Sequence, residues 1–213
     1  MTQEPLTERQ QQVVDLALEV VRESGLRGLT VRKLAEEVGF SEAALYKHFS
    51  SKRALLLAMA RQMSERRLLG PIRRLVESEG DPSERLESVL SHHVGTILET
   101  DALPILLLAE AAASGDEELL EVIGGTLEEL LARMEELVAE IPASPDRPPP
   151  DQLALLLFGL PAAVALSHRL RPDPETERAA AGPLGRYLVR RLVGGEGEES
   201  TDRGMEKDKG ERP

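Results

Sequence analysis

"VGFSEAALYKHF", residues 38–49, holds three of the five aromatic side chains in a chain of 213 residues: Phe40, Tyr46 and Phe49. Two short helical patterns meet at its "GFS". Upstream, Val31, Leu34, Ala35 and Val38 recur on one face, so a helix is expected over 31–38. Thr30 stands at its N-cap position, but Lys33 occupies the place where a capping box needs Glu or Gln. Gly39 ends that helix. Ser41 caps the next one, expected over 42–49, and Glu42 suits the positive end of its dipole. Leu45 and Phe49 stand four residues apart and face the small core with Leu34, Val38 and Phe40. Tyr46 is one step round, so its hydroxyl reaches outward, and Lys47 and His48 lie on the exposed side. Two short helices joined by a glycine-containing turn form a helix-turn-helix, whose second helix enters a DNA major groove with its N-terminal residues against the bases.

The remaining chain reads as helical. The first helix is expected from Glu8 to Ser24, with Gly25 as its C-terminal cap. A longer helix opens at Lys52 and runs to about Glu79, bent or broken near Gly70 by Pro71. Further helices are expected in "GDPSERLESVLSHHVGTILET", in "DALPILLLAEAAAS" and over 116–141. Five prolines in "PASPDRPPP" make a rigid loop. Helices over 152–170 and 175–193 follow. From Gly194 onward no apolar pattern remains, and a disordered acidic tail over 194–213 is expected.

Composition narrows the function classes. Cysteine is absent, so disulfides and thiolate metal sites are excluded. No run of about 18 uninterrupted apolar residues argues for a membrane span, and the polar N-terminus does not read as a signal peptide, so a cytoplasmic protein without a membrane partner is expected. The net charge of −12 is uneven. Residues 1–80 carry a net +2 and residues 81–213 a net −14. A polyanion would therefore meet the N-terminal part. No histidine has Glu three residues before it, and G-x-S-x-G and phosphate-loop patterns are missing, so no enzyme and no cofactor is expected.

"GLTVRKLAEEVGFSEAALYKHFSSKRALLLAM" resembles the DNA-binding signature of the tetracycline-repressor (TetR) family, over Val13 to about Met59. The resemblance implies an all-α homodimer. A helix-turn-helix domain, here 1–54, would precede a larger helical domain, here 55–193, that binds a ligand and dimerises through its last two helices. It implies phosphate contacts from Thr30, Tyr46 and Lys52. It also implies base or near-base contacts from Ser41, Glu42, Ala43 and Lys47, with Arg32 and His48 as further candidates. Glu42 either accepts from a cytosine N4 or serves only the helix dipole, and Ala43 fits a thymine methyl. The partners implied are a double-stranded DNA operator and a small effector, which the aliphatic helices suit if it is hydrophobic.

In the second domain His93 faces an apolar side, Glu110 lies in an apolar helix, and His92 and His168 complete the histidines there. Two readings stay open for His93, Glu110 and His168: a ligand-binding cluster, or separate partly buried polar groups. No metal site is expected, since adjacent histidines point about 100° apart on a helix. The small residues of "GLPAAVAL", with Leu184, Tyr187, Leu188 and Arg191, mark the expected dimer face. An architectural or cell-division DNA-binder of the same fold, without an effector, is the alternative function.

Overall fold

The computed structural model describes residues 6–143 and 147–193. The tail read as disordered lies outside the described residues. The fold is all-α, with eleven α-helices and two π-helical segments in the described part.

Helix α1, Glu8–Gly28, starts at a capping box formed by Thr7 and Gln10. It does not end at Gly25, as expected; that glycine instead takes φ 68° and kinks the helix, which resumes to Gly28. Helices α2, Val31–Val38, and α3, Glu42–His48, fall within a residue of expectation. Gly39 stops α2 in the left-handed region at φ 75°.

The helical run that opens with α4, Lys52–Gln62, continues to Val76, with its irregular part placed before Pro71. It passes into a π-helical segment, Met63–Leu69, and then into α5, Gly70–Val76. Pro71 has no N–H to give the Arg67 carbonyl four residues back. Gly70 N–H reaches five residues back, to Glu65. The freed Arg67 carbonyl accepts from His92 Nε2 at 2.8 Å and Thr96 Oγ1 at 3.2 Å. Side chains of the next long helix thus satisfy the acceptor that proline orphans.

That next helix is α6, Pro82–Glu99, followed by α7, Leu103–Ser114, and α8, Glu117–Glu140. Helix α9, Pro150–Leu170, packs on α6 and α8. The last expected helix is divided: α10, Pro174–Ala179, a π-helical segment Ala180–Leu184 around Pro183, and α11, Gly185–Leu192. Ser91 Oγ donates to the Ala181 carbonyl there, at 2.7 Å.

The core has three parts. One joins α1–α4 to α7 and the start of α8 through residues such as Val13, Leu34, Leu45, Met59 and Leu107. It continues across residue 55, where the sequence places the domain boundary. The other two lie along α6 and α9, one around Leu86, Met134 and Leu157, the other around Val94, Ile97 and Val164. Helix α9 is also long and apolar enough to cross a membrane by length and composition. Leu153, Ala154, Leu157, Pro161, Val164 and Ala165 are buried in the fold, while Leu155, Leu156, Leu166 and Leu170 are exposed.

Candidate nucleic-acid interface

Three helix starts build the candidate interface. Thr30 Oγ1 accepts from Lys33 N–H at 3.1 Å, Ser41 Oγ from Ala44 N–H at 3.2 Å, and Ser51 Oγ from Ala54 N–H at 3.1 Å. Each hydroxyl spends a lone pair on its cap and keeps its O–H as a donor. Leu45 and Phe49 are buried, whereas Tyr46 is 48 % exposed. The alternation follows from helix geometry, since neighbours differ by about 100°.

Thr30, Tyr46 and Lys52 line one shallow depression with Ser51, walled by Leu29, Val31, Leu45, Phe49 and Leu55. Lys52 Nζ donates to the Leu26 carbonyl at 3.0 Å, which holds it beside the end of α1. A hydroxyl at the α2 N-cap, an ammonium at the first residue of α4 and a phenol from the body of α3 make a set of donors suited to an oxyanion. Ser51 belongs to this set and was not singled out; its position just before the α4 pattern is the signal for it.

The start of α3 is a separate exposed surface. Ser41, Glu42, Ala43 and Lys47 are all exposed. Lys47 makes no ion pair among the described residues. Arg32 is held by Glu36 at 3.0 Å. That hydrogen bond, then the charges of Glu36 and of Glu42 across the turn, raise its pKa further above the ordinary value. His48 differs from the other α3 candidates. Its ring is half-buried and stacks on Phe40, centroids 5.7 Å apart, while the Arg9 guanidinium lies over the Phe40 ring. Gln10 Nε2 donates to the His48 carbonyl at 3.2 Å, so this corner ties α3 to α1.

A profile described as "Bacterial regulatory proteins, tetR family" matches residues 13–59, which span these helices. This match to the tetR family is confined to about a fifth of the chain. Over 48 residues it is 52% identical to the tetracycline repressor protein class D of Escherichia coli, covering 22% of each chain. The chain thus aligns with about a fifth of that repressor's length. It is 27% identical over 133 residues to the nucleoid occlusion factor SlmA of Marinomonas sp. (strain MWYL1), covering 62% of this chain and 67% of that one. A crystal structure of a transcriptional regulator from Rhodococcus sp. Rha1 shares the fold, with a TM-score of 0.71 and 23% identity, over 88% of this chain and 96% of that one.

The remaining candidates lie outside the interface, and the structure does not gather them. Glu110 is exposed on α7. His168 is occupied on both ring nitrogens: Nδ1 by Glu177 Oε1 at 2.7 Å and Nε2 by Asp101 Oδ1 at 2.9 Å. Asp101, which also binds Arg169, sits at φ 51° in the turn between α6 and α7. His93 is 7 % exposed on α6 and packs beside Phe158. Burial first, then the charge of His92, lowers its pKa from 6.5 to about 4. No group of three His, Asp or Glu among the described residues is arranged to hold a metal ion.

The link between the two ends of the molecule was not legible in the sequence. Arg53, next to Lys52, forms a two-pronged pair with Asp116 at 2.7 and 2.8 Å and also binds Glu118 at 2.9 Å. Arg61 binds Glu118 as well. These pairs fasten α4 to the start of α8, where Asp116 caps the helix.

Proposed function

We propose that the protein is a DNA-binding transcriptional regulator, a dimeric repressor released from a palindromic operator by a hydrophobic small molecule. Residues 1–54 read the DNA, and 55–193 dimerise and respond to the effector. The convergence of Thr30, Tyr46 and Lys52 on one depression carries this reading. They form a phosphate clamp, while Ser41, Glu42, Ala43 and Lys47 face the bases, with Arg32 and His48 at the edge. Few of these are strong base readers, so DNA shape supplies part of the specificity. In a symmetric dimer two α3 helices would enter successive major grooves about 34–36 Å apart. The exposed leucines of α9, with Leu184 and Tyr187, supply the apolar face for the second copy.

A gel shift on palindromic DNA from upstream of the gene tests the clamp. Lys52→Ala is expected to weaken binding across sequences and to lower the slope of log K against log salt by about one. Tyr46→Phe weakens binding through its lost hydroxyl. Unchanged affinity and slope in both variants would refute the clamp.

The similarity to a nucleoid occlusion factor over more than half of the chain supports a second reading, an architectural DNA-binder without an effector. Mapping bound sites separates the two: many sites spread over the chromosome favour the second, a few promoter sites the first.

A further inference from the structure

Where α1 passes the junction of α6 and α7, the packing leaves a cleft of about 120 Å³, room for a small molecule. Asp15, Glu19 and Arg22 line it from α1, Arg67 from the π-helical segment, and Glu99 from the end of α6. Positions 15, 19 and 22 recur at helical spacing, so one face of α1 supplies all three. Leu18, Thr100 and Leu103 complete the walls. Because α1 forms one side, the cleft lies outside the core of the second domain, and it shares no residue with the phosphate clamp.

Five charges of both signs thus face one space, and none of them pairs with an opposite charge among the described residues. Elsewhere facing charges close on each other, as Arg53 does on Asp116 and Arg73 on Glu129. One of the five is also held from behind. Gln62, 6 % exposed at the end of α4, donates from Nε2 to Asp15 Oδ1 at 2.7 Å. Its own Oε1 is sealed from solvent and has no hydrogen-bond partner among the described residues, which costs free energy for a buried polar atom. A buried amide is therefore committed to fixing a carboxylate of the cleft.

We propose that this cleft binds a small zwitterion with one carboxylate and two cationic groups, the chemistry of a dibasic amino acid. Three carboxylates and two guanidiniums give the lining a net charge of −1, which a ligand of net +1 neutralises. Arg22 and Arg67 take the ligand's carboxylate, to which a guanidinium offers two parallel N–H donors. Asp15, Glu19 and Glu99 accept from its ammonium groups. Leu18 and Leu103 cover the methylenes between the charged ends. The bound molecule bridges α1 to the end of α6, which no ion pair joins among the described residues. Binding here requires neither DNA nor an apolar effector.

The test is calorimetry on the full-length protein with L-lysine as probe. L-norleucine, which lacks the side-chain ammonium, and cadaverine, which lacks the carboxylate, are the controls. L-lysine is expected to bind saturably, and each control roughly tenfold more weakly. Arg67→Gln should weaken L-lysine by roughly tenfold and leave cadaverine unchanged, whereas Glu99→Gln should weaken both. Both side chains are exposed, so the variants should melt with wild type. No saturable binding of L-lysine, either control binding as tightly as L-lysine, or unchanged L-lysine affinity in both variants overturns the site. Where a variant melts early, the ranking of the three ligands on wild type decides.

Discussion

Acidification should destabilise this protein through one buried ring. His93 titrates at about 4 in the fold against an ordinary 6.5, because burial and His92 disfavour its charged form. Between these values the unfolded chain binds more protons at this position than the native one. Stability therefore rises with pH through this window and falls on acidification. Each pKa unit corresponds to about 1.4 kcal/mol, so the full effect approaches about 3 kcal/mol, of which about 2 kcal/mol is expressed by pH 5. The assay is urea unfolding of wild type and His93→Phe at pH 7.5 and pH 5, at one fixed protein concentration because the stability of the proposed dimer would depend on it. Wild type should lose about 2 kcal/mol more than the variant between the two conditions. At pH 7.5 the variant should match or exceed wild type, since Phe removes an unpartnered nitrogen from an apolar seam. Parallel losses in the two proteins would show that His93 does not titrate as a buried group, and the reasoning from its burial would fail.

Gly70→Ala should destabilise by about 1–3 kcal/mol in urea unfolding, because its Cβ would lie 2.7 Å from the Glu65 backbone oxygen, which cannot swing aside. Asp116→Asn should lower the melting temperature at neutral pH. Hydrogen bonding to Arg53 holds the Asp116 carboxyl below its ordinary 3.8, so the contribution is present above that value and vanishes as pH falls below it. A gap between wild type and variant that persists in acid would refute this assignment. Leu156→Glu with Leu166→Glu, both on exposed positions of α9, should shift the protein from dimer to monomer in sedimentation equilibrium. An unchanged dimer would place the interface elsewhere.

What the sequence made legible shares a physical property: its determinants lie within about four residues of one another. Thr30 and Ser41 announce α2 and α3 because a cap accepts from an N–H three positions on. The Leu45, Tyr46 and Phe49 division follows from helical periodicity alone. Features set by distant chain were hidden. Pro71 signalled a break, but whether a helix breaks depends on who takes the freed carbonyl, and here the takers, His92 and Thr96, lie 25 and 29 residues away. The Arg53–Asp116 pair spans 63 residues. The same limit explains the histidines. An apolar neighbourhood in sequence grouped His93, Glu110 and His168, yet the fold buries the first, exposes the second and ties the third to two carboxylates. His48 reads as an outward residue until Phe40 is folded under it.

The two adjacent histidines of α6 then acquire distinct parts. His92 turns to the Arg67 carbonyl and, with Thr96, holds the π-helical segment through which α4 continues. His93, about 100° round the same turn, faces the seam with α9. Helix α4 begins at Lys52, in the proposed phosphate clamp, and is fastened to α8 by Arg53 and Arg61. The α6 turn that carries His92 and Thr96 thus supplies the hydrogen bonds that Pro71 removes from α4, and any shift of that turn would bear on the helix that starts at Lys52.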